Sequence, residues 1–296
     1  MSTPMEKITH LLRSVTSHRD RKNLNFHYSY LINDEEISRL QFQHYVYQQV
    51  WDNSNFSAPV KDLLETDGTR ILDVGCGPAT WLLEMATEYQ KSNFTGIDIK
   101  PTYPTETKPS NVNFQQADLL TSLPFEDNTF DYVFCRAMMF AFRKTDWEVA
   151  IKEICRVCKV GGYVEFMEKD IVIENEREFT RKLRSKLTVE LMKKNVEPII
   201  SQKIEDYIRN TNKFSIVKHD QRSVMIGGAD KLGKEYKDLF TWGARNLKDA
   251  MKKSGYNVDW GSIEKSIEEI SDSRCCDKIH RIWARKGECN SMVEVH

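Results

Sequence analysis

No apolar run in this sequence approaches the ~20 residues that a bilayer-crossing helix needs, so a membrane-spanning protein is not expected. Charge of one sign is missing too. There are 43 Lys and Arg against 44 Asp and Glu, and a net charge of -1 gives no global pull toward nucleic acid. The opening stretch, MSTPMEKITHLLRSVTSHRD, has neither the apolar core nor the small-residue cleavage site of a secretory signal. No internal repeat and no low-complexity tract is visible. The seven cysteines are an odd number in a long chain, which suits a reducing compartment better than a disulfide framework. What is present, 40% hydrophobic and 29% charged residues over 296 positions, suits one large or two ordinary globular domains. An intracellular enzyme or binding protein is expected, cytoplasmic, with the nucleus left open.

The segment from Asn23 to Ile32 is rich in aromatics (Phe26, Tyr28, Tyr30). Asn33-Asp34-Glu35-Glu36 then places acidic groups where a helix begins, and Ile37, Leu40, His44, Tyr47 and Val50 or Trp51 recur at helical spacing, with Pro59 following at a break or new helix start. From Arg70 the pattern alternates. Strands are expected at Arg70–Val74, Phe94–Ile99, Val112–Ala117, Phe130–Cys135 and Gly162–Met167, with helices at Ala79–Tyr89 and Trp147–Cys158. That order implies right-handed crossovers and a largely parallel sheet, an α/β core over residues 68–170. Beyond it, helices are expected at Arg177–Lys194, Ser201–Thr211 and Glu235–Lys253. Strands are expected at Phe214–Val217, Arg222–Ile226 and Ile279–Ala284. The organisation is then an N-terminal helical cap over 1–60 and a doubly wound domain over 61–296, with helical lid insertions within 171–275.

The most informative stretch is Ile71-Leu72-Asp73-Val74-Gly75-Cys76-Gly77-Pro78-Ala79-Thr80-Trp81, a buried strand entering a G-x-G turn that opens a helix. Glycines there let the chain turn tightly and a ligand approach without a Cβ in the way. In a dinucleotide site a third glycine would stand at position 80, which is Thr80 here, and Asp73 sits two residues before Gly75. A carboxylate at that place repels phosphates and suits an ammonium group, which weakens a nicotinamide-linked oxidoreductase and favours a phosphate-free cofactor with a cationic amino-acid end. S-adenosyl-L-methionine (SAM) meets that description. Asp98 follows Gly77 by 21 residues, at the end of the second strand, where an acid accepts from ribose hydroxyls. Asp118 follows the third strand, placed to accept from an adenine amine. Either acid alone reads as a turn or cap residue. Three at successive strand ends on one sheet edge point to a ligand.

At these residues the sequence resembles the class I SAM-dependent methyltransferases, well over about 68–170 and loosely elsewhere. The resemblance implies a Rossmann-like, seven-stranded sheet whose last strand is reversed. It also implies SAM contacts from Asp73, Gly75 and Gly77 at the methionine end, from Asp98 and Ile99 at the ribose and the adenine face, and from Asp118 and Leu119 at the adenine. Arg136 and Ala137 would close over the sulfonium side. A narrower likeness, on Trp81, Phe130–Arg136, Trp147 and Lys159-Val160-Gly161-Gly162, is to the fungal methyltransferases related to LaeA. Val160 replaces the proline usual before that glycine pair, which costs only some rigidity of the turn.

Methyl transfer needs a positioned nucleophile and exclusion of water, and a base only for a protonated acceptor. Candidates to touch the acceptor or the methionine end are His27, Tyr28, Tyr30, Arg136, Met138, Glu168 and Trp242, with Tyr30 counted among the cofactor contacts; no general base is assigned. Lid packing is the plain alternative for the Tyr and Trp residues, and a capping role for His27. Cys155-x-x-Cys158 continues an apolar stripe with Ala150, Ile151 and Ile154, and Cys275-Cys276 has only His280 nearby, so no metal is expected. Arg181-Lys182-Leu183-Arg184-Ser185-Lys186 is read as a solvated helix face. The expected activity is methyl transfer from SAM to a small molecule at O, N or carboxylate, with no membrane or nucleic-acid partner. A LaeA-type regulator acting through a protein partner, or a methylase of proteins, is the alternative.

Overall fold

The short apolar runs from Arg70 onward form the centre of the sheet. In the computed structural model, which describes residues 33–271 and 274–287, β1 (Arg70–Val74) lies between two parallel neighbours, β2 (Asn93–Asp98) and β4 (Phe130–Arg136). β3 (Val112–Gln116) pairs outside β2, and β5 (Cys158–Glu174) outside β4, both parallel. β7 (Cys276–Lys286) runs antiparallel to β5, and β6 (Phe214–Met225) antiparallel to β7. The order β3-β2-β1-β4-β5-β7-β6 gives one seven-stranded sheet, doubly wound and Rossmann-like, with β7 reversed as expected.

The helices are α1 (Asp34–Val50), α2 (Lys61–Leu64), α3 (Thr80–Glu88), α4 (Lys144–Val157), α5 (Glu178–Lys193), α6 (Ser201–Asn210), α7 (Lys231–Lys253) and α8 (Ser262–Ser271) among the described residues. Asn33 caps α1 by accepting from Glu36 N at 2.8 Å, and Asp34, Glu35 and Glu36 follow in the first turn, where the helix dipole favours negative charge. Apolar side chains cover both faces of the sheet. On one, Trp81 of α3 stacks on Phe134 of β4 with ring centroids 4.0 Å apart; on the other, Trp147, Ile151 and Ile154 of α4 pack with Val133 and Phe166. Burying one stripe of each helix in this way holds the strand ends in a fixed relation.

Several elements differ from the sequence reading. β5 is far longer than Gly162–Met167: it starts at Cys158 and continues to Glu174 because β7 offers it a partner beyond the edge where β4 stops. Cys158 therefore opens a strand rather than extending α4, although it stays buried with the same apolar cluster. β6 is one strand, not two. As the edge strand it keeps Lys218–Gln221 on a largely exposed surface, so those residues show no apolar alternation. α7 starts at Lys231, four residues before Glu235, where the Asp230 side chain accepts from Gly233 N at 3.2 Å. α2, only 4 residues long, begins two residues after Pro59, and α8 was not expected from the sequence.

Candidate functional site

The site grows from the carboxyl ends of β1, β2, β4 and β5. β1 ends at Val74, and Gly75 (φ +67°) and Gly77 (φ +53°) carry the chain into α3 through left-handed conformations that favour glycine. A Cβ on Gly75 would stand 2.7 Å from Met138 Sδ, so the end of that side chain would have to move aside for one. Asp98, 4% exposed at the end of β2, accepts from Gly77 N at 2.9 Å and from Lys100 N at 2.8 Å. These two bonds fix its carboxylate against the turn.

Asp73 lies beneath, 2% exposed. Burial pushes its carboxyl up to about 7; the Arg136 guanidinium opposes that rise and the Asp98 charge adds to it. Arg136 closes β4, and its Nη1 donates to His44 Nδ1 at 3.0 Å. A guanidinium only donates, so Nδ1 is the acceptor and His44 Nε2 carries the hydrogen directed at Glu84 Oε2, 2.5 Å away. Burial draws His44 down to about 4, which keeps the ring neutral. α1 is thereby tied to α3 and to the end of β4.

After Arg136, Ala137 takes φ +56°, a sparsely populated conformation for a residue with a Cβ, and turns the chain across the glycine loop. Met138 N and Met139 N then donate to the Glu168 carboxylate at 2.6 and 3.3 Å. Glu168 is 2% exposed and burial raises it to about 8. The loop from Ala137 to Met139 covers it.

A cavity of about 370 Å³ opens in front of these groups, within the ~300–1,000 Å³ usual for small-molecule sites. Gly75, Cys76, Gly77, Asp98, Arg136, Ala137 and Glu168 line its floor. Leu40 of α1, Leu187 of α5, Phe240 and Leu247 of α7, Trp260 just before α8 and Ile267 of α8 are among the side chains of an apolar far wall.

The structure thus brings together Gly75, Gly77, Asp98, Arg136, Ala137, Met138 and Glu168 around one space. Asp73 sits behind the glycine turn rather than on the lining. Ile99, Asp118 and Leu119 stand at the neighbouring strand ends, outside this lining. Asp118 Oδ1 accepts from Leu120 N at 2.9 Å, the local turn role, and Leu119 is buried in the core. Trp242 stands outside this lining. The cavity stripe of α7 runs through Phe240, Gly243, Ala244 and Leu247, and Trp242 falls off it to donate Nε1 to Glu35 Oε1 at 3.1 Å. Arg184 of the basic run also departs from the solvated reading: it lines the cavity and pairs with Glu176. His27, Tyr28 and Tyr30 lie outside the described residues. His44 and Tyr47, read only as part of a helical stripe, and Lys169, Tyr236 and Asp277 were not singled out for the site from the sequence. His44 and Tyr47 share one face of α1, a signal that was present; the meeting of Tyr236 with Asp277 across 41 positions left none.

A parallel sheet in this order, a reversed β7 and a glycine turn at the carboxyl edge define a class I methyltransferase fold. Residues 71–162 match a family described as a methyltransferase domain. Among similar proteins, a demethylmenaquinone methyltransferase of Bacillus pumilus (strain SAFR-032) is 38% identical over 109 residues, covering 34% of this chain and 45% of that one. One of Staphylococcus aureus (strain JH9) is 35% identical over 115 residues, covering 37% and 46%. The chain therefore spans about half the length of these curated relatives. In fold it is similar to Haemonchus contortus phosphoethanolamine N-methyltransferase 2 in complex with S-adenosyl-L-methionine (TM-score 0.50, 16% identity, 90% of this chain and 61% of that one). It is also similar to a putative methyltransferase from an antibiotic biosynthesis pathway of Anabaena variabilis (TM-score 0.50, 14% identity, 74% and 91%). Among the described residues, no helix is long and apolar enough to cross a membrane.

Proposed function

We propose that the chain is a SAM-dependent methyltransferase acting on a small-molecule acceptor. Bound SAM supplies a methyl group made electrophilic by its sulfonium. The observation that carries this reading is Asp98, whose carboxylate is pinned to the glycine turn by Gly77 N while the same residue lines the cavity, as a ribose-binding acid requires. At Gly77 nothing stands within 4 Å of where a Cβ would be, which leaves backbone open to the ligand. Asp73, buried without a hydrogen-bonded cation of its own, suits an ammonium at the methionine end. Ile99, Asp118 and Leu119 would meet the adenine, Tyr30 would add a contact, and Arg136 and Ala137 would close over the sulfonium.

On the acceptor side Glu168 is the candidate, with His27 and Tyr28. A carboxyl raised to about 8 titrates near neutral pH, which suits proton uptake from a hydroxyl or amine acceptor. The apolar far wall and the match to demethylmenaquinone methyltransferases both support a small molecule over a protein chain as acceptor. Within the class we place the chain nearest the LaeA-like enzymes, supported by Trp81, Trp147 and the Phe130–Arg136 strand.

Calorimetry tests the reading. Micromolar binding of SAM and of its demethylated product, S-adenosylhomocysteine, is expected, and Gly75→Val should abolish both through strain at φ +67° and collision with Met138. Binding of NAD instead, or normal SAM binding by Gly75→Val, overturns it. The pH dependence follows from Asp73. Its free carboxyl titrates near 7, and a bound ammonium lowers that value, so binding releases a proton below neutrality. Affinity should rise with pH up to about 7 and level off above, and calorimetry in buffers of different ionisation heat should register the released proton. A flat profile would remove Asp73 from the methionine end.

A further inference from the structure

Most polar side chains that line the cavity are already committed. Glu36 accepts from Arg39 at 2.7 and 2.9 Å and from Asn246 at 2.7 Å; Arg184 holds Glu176; the Thr180 hydroxyl donates to Glu269. Asp170 caps the start of α6 through Ile200 N, Ser201 N and Ser201 Oγ. Lys169 differs. It stands in β5 where the register with β7 shifts, between Lys169 and Ile173, and its side chain remains 25% exposed on the cavity wall. Its ammonium pairs with Asp277 and lies 5.0 Å from the centre of the Phe240 ring.

The counter-ion is built in from behind. Asp277 is 0% exposed, its Oδ2 also accepts from Tyr236 Oη at 3.0 Å, and its Oδ1 has no partner. An ammonium has three N–H donors in tetrahedral array, and a carboxylate on one side cannot use them all. Asp277 offsets the cost of keeping a cation beside apolar surface, and Tyr236 fixes the carboxylate that does so. What faces the cavity is a positioned cation with donors to spare, set among Leu239, Phe240 and Leu247.

We propose that Lys169 anchors the acceptor, and that the acceptor is an apolar molecule bearing an anionic oxygen group such as a carboxylate or phenolate. The anion meets the Lys169 ammonium, and the apolar body fills the space between α5, α7 and α8. This deepens the methyltransferase reading and rests on it. It also separates the roles of two adjacent residues: Glu168 serves the reacting end beneath the Ala137–Met139 loop, and Lys169 holds a group farther along the wall.

The test uses two probes with the same ring system, anionic 8-anilinonaphthalene-1-sulfonate and neutral N-phenyl-1-naphthylamine. Binding to the full chain loaded with S-adenosylhomocysteine is followed by fluorescence. The wild type should prefer the sulfonate. Lys169→Met should weaken sulfonate binding by about tenfold, the worth of one charge-assisted hydrogen bond, with little change for the neutral amine. Lys169→Arg should restore most of the preference. Because Lys169→Met strands the buried Asp277, the double variant Lys169→Met/Asp277→Asn is measured alongside and should show the same selective loss. A wild type without the preference, or variants that keep it, overturns the anchor. Failure of the wild type to take up S-adenosylhomocysteine would instead strike the methyltransferase reading, so the two failures are told apart.

Discussion

Asp98→Ala is expected to weaken SAM binding by about a hundredfold or more, about 3 kcal/mol, the worth of two hydrogen bonds to a charged acceptor. The loss has two sources. The ribose hydroxyls lose their acceptor, and Gly77 N and Lys100 N, held at 2.9 and 2.8 Å in the wild type, lose theirs, so the turn is released as well. Asp98→Asn separates them: the amide keeps one acceptor oxygen and nearly the same shape, and its affinity should fall between wild type and alanine. Calorimetry with SAM reads both variants. If Asp98→Ala binds within about threefold of wild type, less than one such bond is worth, Asp98 does not hold the ribose.

How far the site could be read from the sequence depended on the range of the contacts that build it. The turn at Gly75 and Gly77 and the acid at Asp98 are local: a strand, a tight turn and the end of the next strand bring them together by spacing alone. Central strands showed as well, since β1 and β4 are largely buried and carry short apolar runs, Ile71-Leu72 and Tyr132–Cys135, with few polar interruptions. The wall opposite comes from α1, α5, α7 and α8, far apart in the chain, and periodicity could not say which stripe faces inward. That is why Trp242 was drawn toward the site while Phe240, two residues away, lines it. Lys169 and Asp277 meet only because β7 returns beside β5, and no local pattern announces that pairing. The extension of β5 past Met167 is likewise a gift of the partner strand rather than of its own residues.

The second large effect concerns stability. Glu165 of β5 is 0% exposed and accepts from Ser57 N at 2.9 Å, Ala58 N at 2.8 Å and Tyr132 Oη at 3.0 Å. Arg281 of β7, 2% exposed, stands 3.7 Å from it, donates to Ser54 O at 2.8 Å and lies 4.6 Å from the Trp51 ring centre. This pair clamps the segment after α1 onto the middle of the sheet. Arg281→Met keeps much of the side-chain volume but leaves a buried carboxylate without its cation, a loss of about 3–5 kcal/mol. Its pH dependence has a definite sign. Burial already raises the Glu165 carboxyl and Arg281 opposes that rise, so removing Arg281 lifts the folded-state value further above the unfolded one. The variant is then least handicapped in acid, where Glu165 is neutral, and loses stability as pH rises through the elevated value. Urea unfolding near pH ~5 and ~8 should show a deficit at both that grows with pH. Equal midpoints for variant and wild type at the higher pH would mean that Ser54–Ala58 is held by packing around Trp51 and Trp81 instead of by this buried charge pair.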